Sequence, residues 1–115
     1  MLGMGEMQDT SVFENGDLKI DYTAGCTYLK EEELHLTPIE YKLLCLLARN
    51  VGKVLTHTYI TRQIWGSSSE NDIASLRVFM ATLRKKLERE KNGIQYIQTH
   101  IGIGYRMINK SHFAG

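Results

Sequence analysis

Apolar and polar positions change rhythm along the chain. Over residues 12–36, short apolar stretches at 12–13, 18–22, 27–29 and 34–36 are interrupted by Asn15-Gly16-Asp17, Ala24-Gly25 and Glu31-Glu32. Turn-forming breaks at such close spacing predict an antiparallel meander of three or four strands. The spacing then becomes helical. Thr37 is placed to cap a helix, Pro38 suits its first position, and Glu40 completes a capping box. Ile39, Leu43, Leu44, Leu46 and Leu47 supply a broad apolar face, and residues 50–52 end the helix. A shorter helix is predicted from about Thr56 to Trp65, stopped by Gly66, with Ile60 and Ile64 facing inward. Residues 66–71 read as a polar loop with three serines.

A third helix is predicted over about 72–91. Ile73, Leu76, Met80, Leu83 and Leu87 recur at intervals of three and four and draw one narrow apolar stripe. After Asn92-Gly93, residues 94–99 alternate as a strand. Gly102-Ile103-Gly104 reads as a turn, and residues 105–108 as the returning strand.

The side of the third helix opposite its stripe is unusual. It carries Ala74, Ser75, Val78, Ala81, Thr82, Lys85 and Arg89, flanked by Arg77 and Arg84 on one edge and Lys86 on the other. A helix facing only water would be charged there. Small residues permit close approach, methyl groups can meet thymine methyls, and the flanking cations can meet phosphates. A second buried face is the other reading. Three helices, the last amphipathic, followed by a glycine-tipped hairpin describe a winged helix, with the hairpin over the neighbouring minor groove.

Charge supports a polyanion. The net charge of the 115 residues is only +1. Residues 1–40 hold nine acids and two bases, net −7, whereas residues 41–115 hold twelve bases and four acids, net +8. Apolar residues at 43% and charged residues at 23% are ordinary globular usage, which excludes a disordered, collagen-like or disulfide-framework chain. The longest apolar run, residues 43–48, is far too short to span a bilayer, and residues 1–7 lack the pattern of a signal peptide. Cys26 and Cys45 have no metal-ligand spacing; they could form one disulfide, and the other reading is two free thiols of a reducing, cytoplasmic compartment.

Five motifs in order are similar to one family. They are Leu36-Thr37-Pro38-Ile39-Glu40-Tyr41-Lys42-Leu43-Leu44, Gly52-Lys53-Val54-Leu55-Thr56, Ile64-Trp65-Gly66, Leu83-Arg84-Lys85-Lys86-Leu87-Glu88 and Gly102-Ile103-Gly104-Tyr105-Arg106. Together they resemble the effector domain of OmpR/PhoB-type response regulators, over about residues 12–108. Residues 1–11 are then a disordered or expression-derived start, and 109–115 a tail. Leu76-Arg77-Val78-Phe79 with the Gly-Ile-Gly tip is most similar to regulators of a potassium-transport operon.

The resemblance implies an α+β winged helix-turn-helix. Its parts are an N-terminal antiparallel four-stranded sheet, three helices and a C-terminal β-hairpin wing. It implies sequence-specific binding to double-stranded promoter DNA with direct repeats, as a head-to-tail pair, as the output domain of a two-component system. No room remains for a receiver domain, so neither its phosphoacceptor aspartate nor its Mg²⁺ site is expected, and no cofactor or metal.

By residue, the resemblance implies base reading through Ser75, Arg77, Val78, Ala81 and Thr82. It places His57, Trp65, Arg84, Lys85, Thr99 and Tyr105 near phosphates, and His100, Ile101 and Gly102 in the wing. Ser67, Ser68, Ser69 and Glu70 match a loop that in some members touches RNA polymerase. Two positions depart from the pattern. Some members carry an arginine at the wing tip, where this chain has Thr99-His100-Ile101-Gly102. Some carry an arginine in place of Thr82, which cannot make a bidentate guanine contact.

An enzyme would need a nucleophile with its base, paired carboxylates or a metal cluster, and the scattered His35, His57, His100 and His112 provide none. The alternative function is a protein-interaction module that uses the third-helix face.

Overall fold

The computed structural model describes residues 11–89 and 93–110. The expectations for residues 1–10, for the end of the third helix at 90–92 and for the tail at 111–115 lie outside the described residues. The described residues divide into two compact units, one of residues 11–35 with Lys110 and one within Leu36–Asn109.

The first unit is an antiparallel sheet of β1 (Val12–Asn15), β2 (Leu18–Asp21), β3 (Cys26–Leu29) and β4 (Glu32–Leu34), paired in sequence order. Leu18 faces Leu29, Ile20 faces Thr27, and Thr27 faces Leu34, so the buried leucines and isoleucine share one side. The last strand lies earlier than its apolar residues predict, at 32–34 instead of 34–36. A two-residue turn at Lys30 and Glu31 fixes it, with φ of 54° and 69°. Left-handed conformation at both central residues is the hairpin turn that matches strand twist. Lys-Glu lacks the glycine or asparagine that advertises this turn.

The second unit holds α1 (Pro38–Arg49), α2 (His57–Trp65) and α3 (Glu70–Leu87), which pack on one another. The predicted capping box of α1 is present: Thr37 Oγ1 accepts from Glu40 N–H, and Glu40 Oε1 from Thr37 N–H. Thr56 caps α2, and Gly66 closes it at φ 80°. Leu43, Leu44, Leu47, Ile60, Leu76, Met80, Leu83 and Leu87 form the core, with Tyr96 just before the next strand and Ile97 and Met107 within the strands that follow. Ile64 is only half-buried.

Three boundaries differ from the sequence pattern. Helix α3 starts two residues early, at Glu70, because Ser69 caps it with Asp72 in a second capping box. It ends at Leu87. Glu88 leaves the helix there and its Oε2 accepts the backbone N–H groups of Tyr96 and Ile97. The following strand therefore begins at Ile97, not 94.

The hairpin strands also differ from the pattern, lying at 97–100 and 104–107 instead of 94–99 and 105–108, and a third strand joins them. Strands β5 (Val54–Thr56), β6 (Ile97–His100) and β7 (Gly104–Met107) form a sheet in the order β5-β7-β6. Gly104 lies in β7, not in the turn, opposite both His100 and Thr56. A Cβ there would stand 1.8 Å from the Leu55 carbonyl oxygen, so β5 requires glycine at this position. The turn is 101–103, with Gly102 at φ 78°.

Candidate nucleic-acid interface

The inward side of α3 is set by its apolar stripe. Leu76, Met80, Leu83 and Leu87 are at most 2% exposed, and Ile73 is half-buried. That leaves Ala74, Arg77, Val78, Ala81 and Lys85 exposed, with Ser75 half-buried beside them. Val78 is 61% exposed, an unusual state for a valine mid-helix. The carboxylates of α3 are confined to its first turn, at Glu70 and Asp72. Its last turn carries Arg84, Lys85 and Lys86. The result is a small-residue ridge that becomes basic toward the helix C-terminus.

Two other elements approach this ridge. Arg84 Nη1 donates to Thr99 Oγ1 at 2.6 Å, which ties α3 to β6, and its Nε lies 3.7 Å from Glu88 Oε1. The His57 ring, in the first turn of α2, meets the Tyr105 ring edge-on at 5.6 Å. Burial lowers the His57 pKa, and the positive charge of Arg77 lowers it further. Burial raises the Tyr105 pKa against the opposing pull of Arg77 and Arg84. Arg77, Arg84, His57, Thr99 and Tyr105 thus form one cluster at the α3–sheet edge, made positive by its two arginines.

The remaining predicted residues are more dispersed. Trp65 is half-buried and its ring lies 6.2 Å from that of Phe79 on α3. His100 is half-buried with Nε2 3.2 Å from Gln98 Oε1, the oxygen that also accepts from Arg106. Ile101 and Gly102 are exposed at the wing tip. Only part of the predicted polar loop is loop, because Glu70 belongs to α3 and Ser69 caps it. Ser67 and Ser69 both donate to Asp72 Oδ2 through their hydroxyls, and these bonds hold the Asp72 carboxyl below its usual pKa. Ser68 is half-buried.

Thr82 stands apart from the ridge. It is half-buried, and its hydroxyl donates to Glu40 Oε2 at 2.5 Å, with the Phe79 carbonyl oxygen at 2.9 Å as a second acceptor. Lys86 Nζ donates to Glu40 Oε1 at 2.7 Å. Glu40 is 2% exposed. Burial alone pushes its pKa up, but Lys86, Thr82 and the Thr37 N–H together hold it below the ordinary value. The sequence reading sees Glu40 only as a capping residue and Lys86 only as a flanking cation. A capping box has a local signature, whereas a carboxylate's reach to another helix has none.

With this geometry, a family match decides the chain's affiliation. Residues 31–107 match the model described as "Transcriptional regulatory protein, C terminal". The chain belongs to that family, the effector domains of OmpR/PhoB-type response regulators. The effector domain is 41% identical over 92 residues to the KDP operon transcriptional regulatory protein KdpE of Escherichia coli, covering 80% of this chain and 41% of that protein. It superposes on the response regulator DrrB of Thermotoga maritima with a TM-score of 0.77 at 30% identity, covering 92% of this chain and 48% of that one. It is also similar to the DNA-binding domain of the response regulator AdeR in complex with an intercistronic region. That TM-score is 0.72 at 26% identity, over 84% of this chain and 98% of that one. The chain therefore spans less than half the length of the KdpE relative. The fold is the winged helix of OmpR/PhoB DNA-binding domains, and no helix among the described residues is long and apolar enough to cross a membrane.

Proposed function

We propose that this effector domain binds double-stranded promoter DNA sequence-specifically, with α3 in the major groove and the β6–β7 wing beside it. The observation that carries the reading is the exposed ridge of α3, small and uncharged from Ala74 to Ala81 except for Arg77, and basic at its end. Such a surface can approach base edges closely while its rim meets phosphates.

In this reading Ser75, Arg77, Val78 and Ala81 face bases. Thr82 contributes at most its methyl group, because its hydroxyl is engaged with Glu40. His57, Arg84, Lys85, Thr99 and Tyr105 line the phosphate path, with the Trp65 indole N–H at its edge. Lys86 is excluded from that path by its ion pair. Two domains pair head to tail on direct repeats, and residues 67–70 face RNA polymerase. The parent protein is a cytoplasmic two-component regulator with a phosphorylatable receiver. By its likeness to KdpE, it controls a potassium-transport operon.

The test is a titration of the purified chain against a duplex with tandem half-sites, selected from a random pool, and against random duplex. Preferential binding that weakens steeply with salt is expected. Equal binding to both duplexes at low salt overturns sequence specificity. Salt-independent capture of a protein by the α3 face favours an interaction module.

A further inference from the structure

The last turn of α3 carries a cation on each flank of its ridge, and the two are held differently. At about 100° per residue, Arg84 and Lys86 project to opposite sides of Lys85. Arg84 Nη1 is held by a neutral hydroxyl, Thr99 Oγ1, with Glu88 Oε1 3.7 Å from its Nε. Lys86 Nζ instead lies 2.7 Å from Glu40 Oε1, on a carboxylate that belongs to α1. Burial works against the Glu40 charge, but Lys86, Thr82 and the Thr37 N–H keep its pKa low, so the carboxylate stays ionised at neutral pH. The Lys86 side chain, by contrast, is still 37% exposed. A positive charge at the rim of the ridge is thus cancelled by a negative charge in the core.

Resting on the DNA-binding reading above, we propose that Glu40 masks Lys86 from DNA phosphates and so limits how tightly the domain holds duplex of any sequence. The other hydrogen bonds of Glu40 do not require a charge. A capping box accepts glutamine as well as glutamate at its third position. The Thr82 hydroxyl has the Phe79 carbonyl oxygen at 2.9 Å as another acceptor. What glutamine cannot do is neutralise Lys86. Nor is a buried ion pair an efficient way to hold two helices together, since lost hydration offsets much of the attraction. The charge of Glu40 therefore acts chiefly on Lys86.

The mask matters because of where Lys86 stands. A helix in the major groove lies between two phosphate backbones, and cations on its two flanks face one each. Arg84 serves one flank. Lys86 occupies the other, on a flexible four-carbon stem that swings outward once its partner is neutral. A phosphate contact carries no sequence information and releases condensed counterions, so one further contact strengthens binding to every duplex.

The experiment titrates the full chain and its variants against random duplex and against a duplex selected by wild type, from about 50 to 200 mM salt. Glu40→Gln should steepen the salt dependence by about one unit on both duplexes, which is a gain of about three- to fourfold at the low end of that range relative to the high end. A merely structural loss would weaken binding without steepening it. A variant carrying both Glu40→Gln and Lys86→Gln should return to the wild-type slope. Lys86→Gln alone should also keep that slope, because wild-type Lys86 touches no phosphate. Its amide can still donate to Glu40, so this variant decides the question if Glu40→Gln does not fold, and circular dichroism verifies folding of each. A folded Glu40→Gln with the wild-type slope overturns the mask, and so does a slope shallower by about one unit in Lys86→Gln. Both outcomes leave the α3 reading intact. If wild type binds neither duplex in a salt-dependent way, the underlying DNA-binding reading fails instead.

Discussion

The Thr82 hydroxyl stands 2.5 Å from Glu40 Oε2, so a residue of α3 is held by the acid that caps α1. Lys86, one turn further along α3, takes the other oxygen at 2.7 Å. The carboxylate is nearly fully buried and accepts from both helices, so it joins the start of α1 to the second half of α3. Thr82→Val keeps the shape and removes only the hydroxyl. It should cost about 1.5–3 kcal/mol in stability, the range for a hydrogen bond to a charged group, and leave the sequence preference on DNA unchanged. Chemical denaturation and binding to a panel of single-base operator variants measure the two effects. A shift at one base position would return the hydroxyl to base reading.

Glu40→Gln should also destabilise, by about 1–3 kcal/mol, because the charge-assisted contacts of both Lys86 and Thr82 are weakened at once. The pH dependence gives a second signature. The folded pKa of Glu40 lies below its ordinary value. Its contribution to stability is therefore fully present above the ordinary carboxylate pKa and is lost as pH falls through the lower folded value. Acid unfolding followed by circular dichroism should show this loss in wild type and a shallower acid limb in Glu40→Gln.

Arg84→Ala should weaken binding to all duplexes about equally and reduce the salt slope by about one unit, as loss of a phosphate contact does. The contact with Thr99 fixes the guanidinium at the α3–β6 edge, away from the middle of the ridge. Anisotropy titrations across a salt series check it. An altered base preference at constant slope would place Arg84 in the groove instead.

Arg77→Ala should relax discrimination at one base position of each half-site by about tenfold, within the 1–3 kcal/mol of a good arginine–guanine contact. Its side chain is exposed on the ridge next to Val78, yet its charge also acts on His57 and Tyr105. Uniform weakening over the operator panel would assign it to the phosphate path.

His57 predicts proton-linked binding. Burial, followed by the charge of Arg77, holds its folded pKa below the ordinary value of 6.5. The free domain therefore loses stability as pH falls through the ordinary histidine range, because the unfolded chain binds the proton more readily. A DNA phosphate beside the ring would offset the charge of Arg77 and raise the pKa. Duplex affinity should thus increase as pH drops from about 7.5 toward 6, near the ordinary histidine range. His57→Gln should flatten that increase. Calorimetry in buffers of different ionisation enthalpy would register the proton uptake, and none registered would remove His57 from the phosphate path.

Local chemistry determined much of this protein directly from its sequence. The capping box at Thr37 and Glu40, the stop at Gly66 and the three-four spacing of Leu76, Met80, Leu83 and Leu87 each act within one or two turns of chain. They are therefore legible without the fold. The exposed ridge of α3 follows from the same periodicity, because fixing the buried stripe fixes its opposite. Strand β5 was not legible. Val54, Leu55 and Thr56 become a strand only because β7 supplies their hydrogen bonds, and Gly104 is required by the approach of the Leu55 carbonyl. The role of Thr82 was hidden for the same reason. Its wheel position places it near the reading face, but its hydroxyl is claimed by a carboxylate from another helix. Burial makes that bond worth keeping, since Glu40 without its partners would be an uncompensated charge in the core. Sequence period fixes which way a side chain leaves its own helix. Which partner it meets depends on chain brought near from elsewhere, and that is decided by tertiary packing.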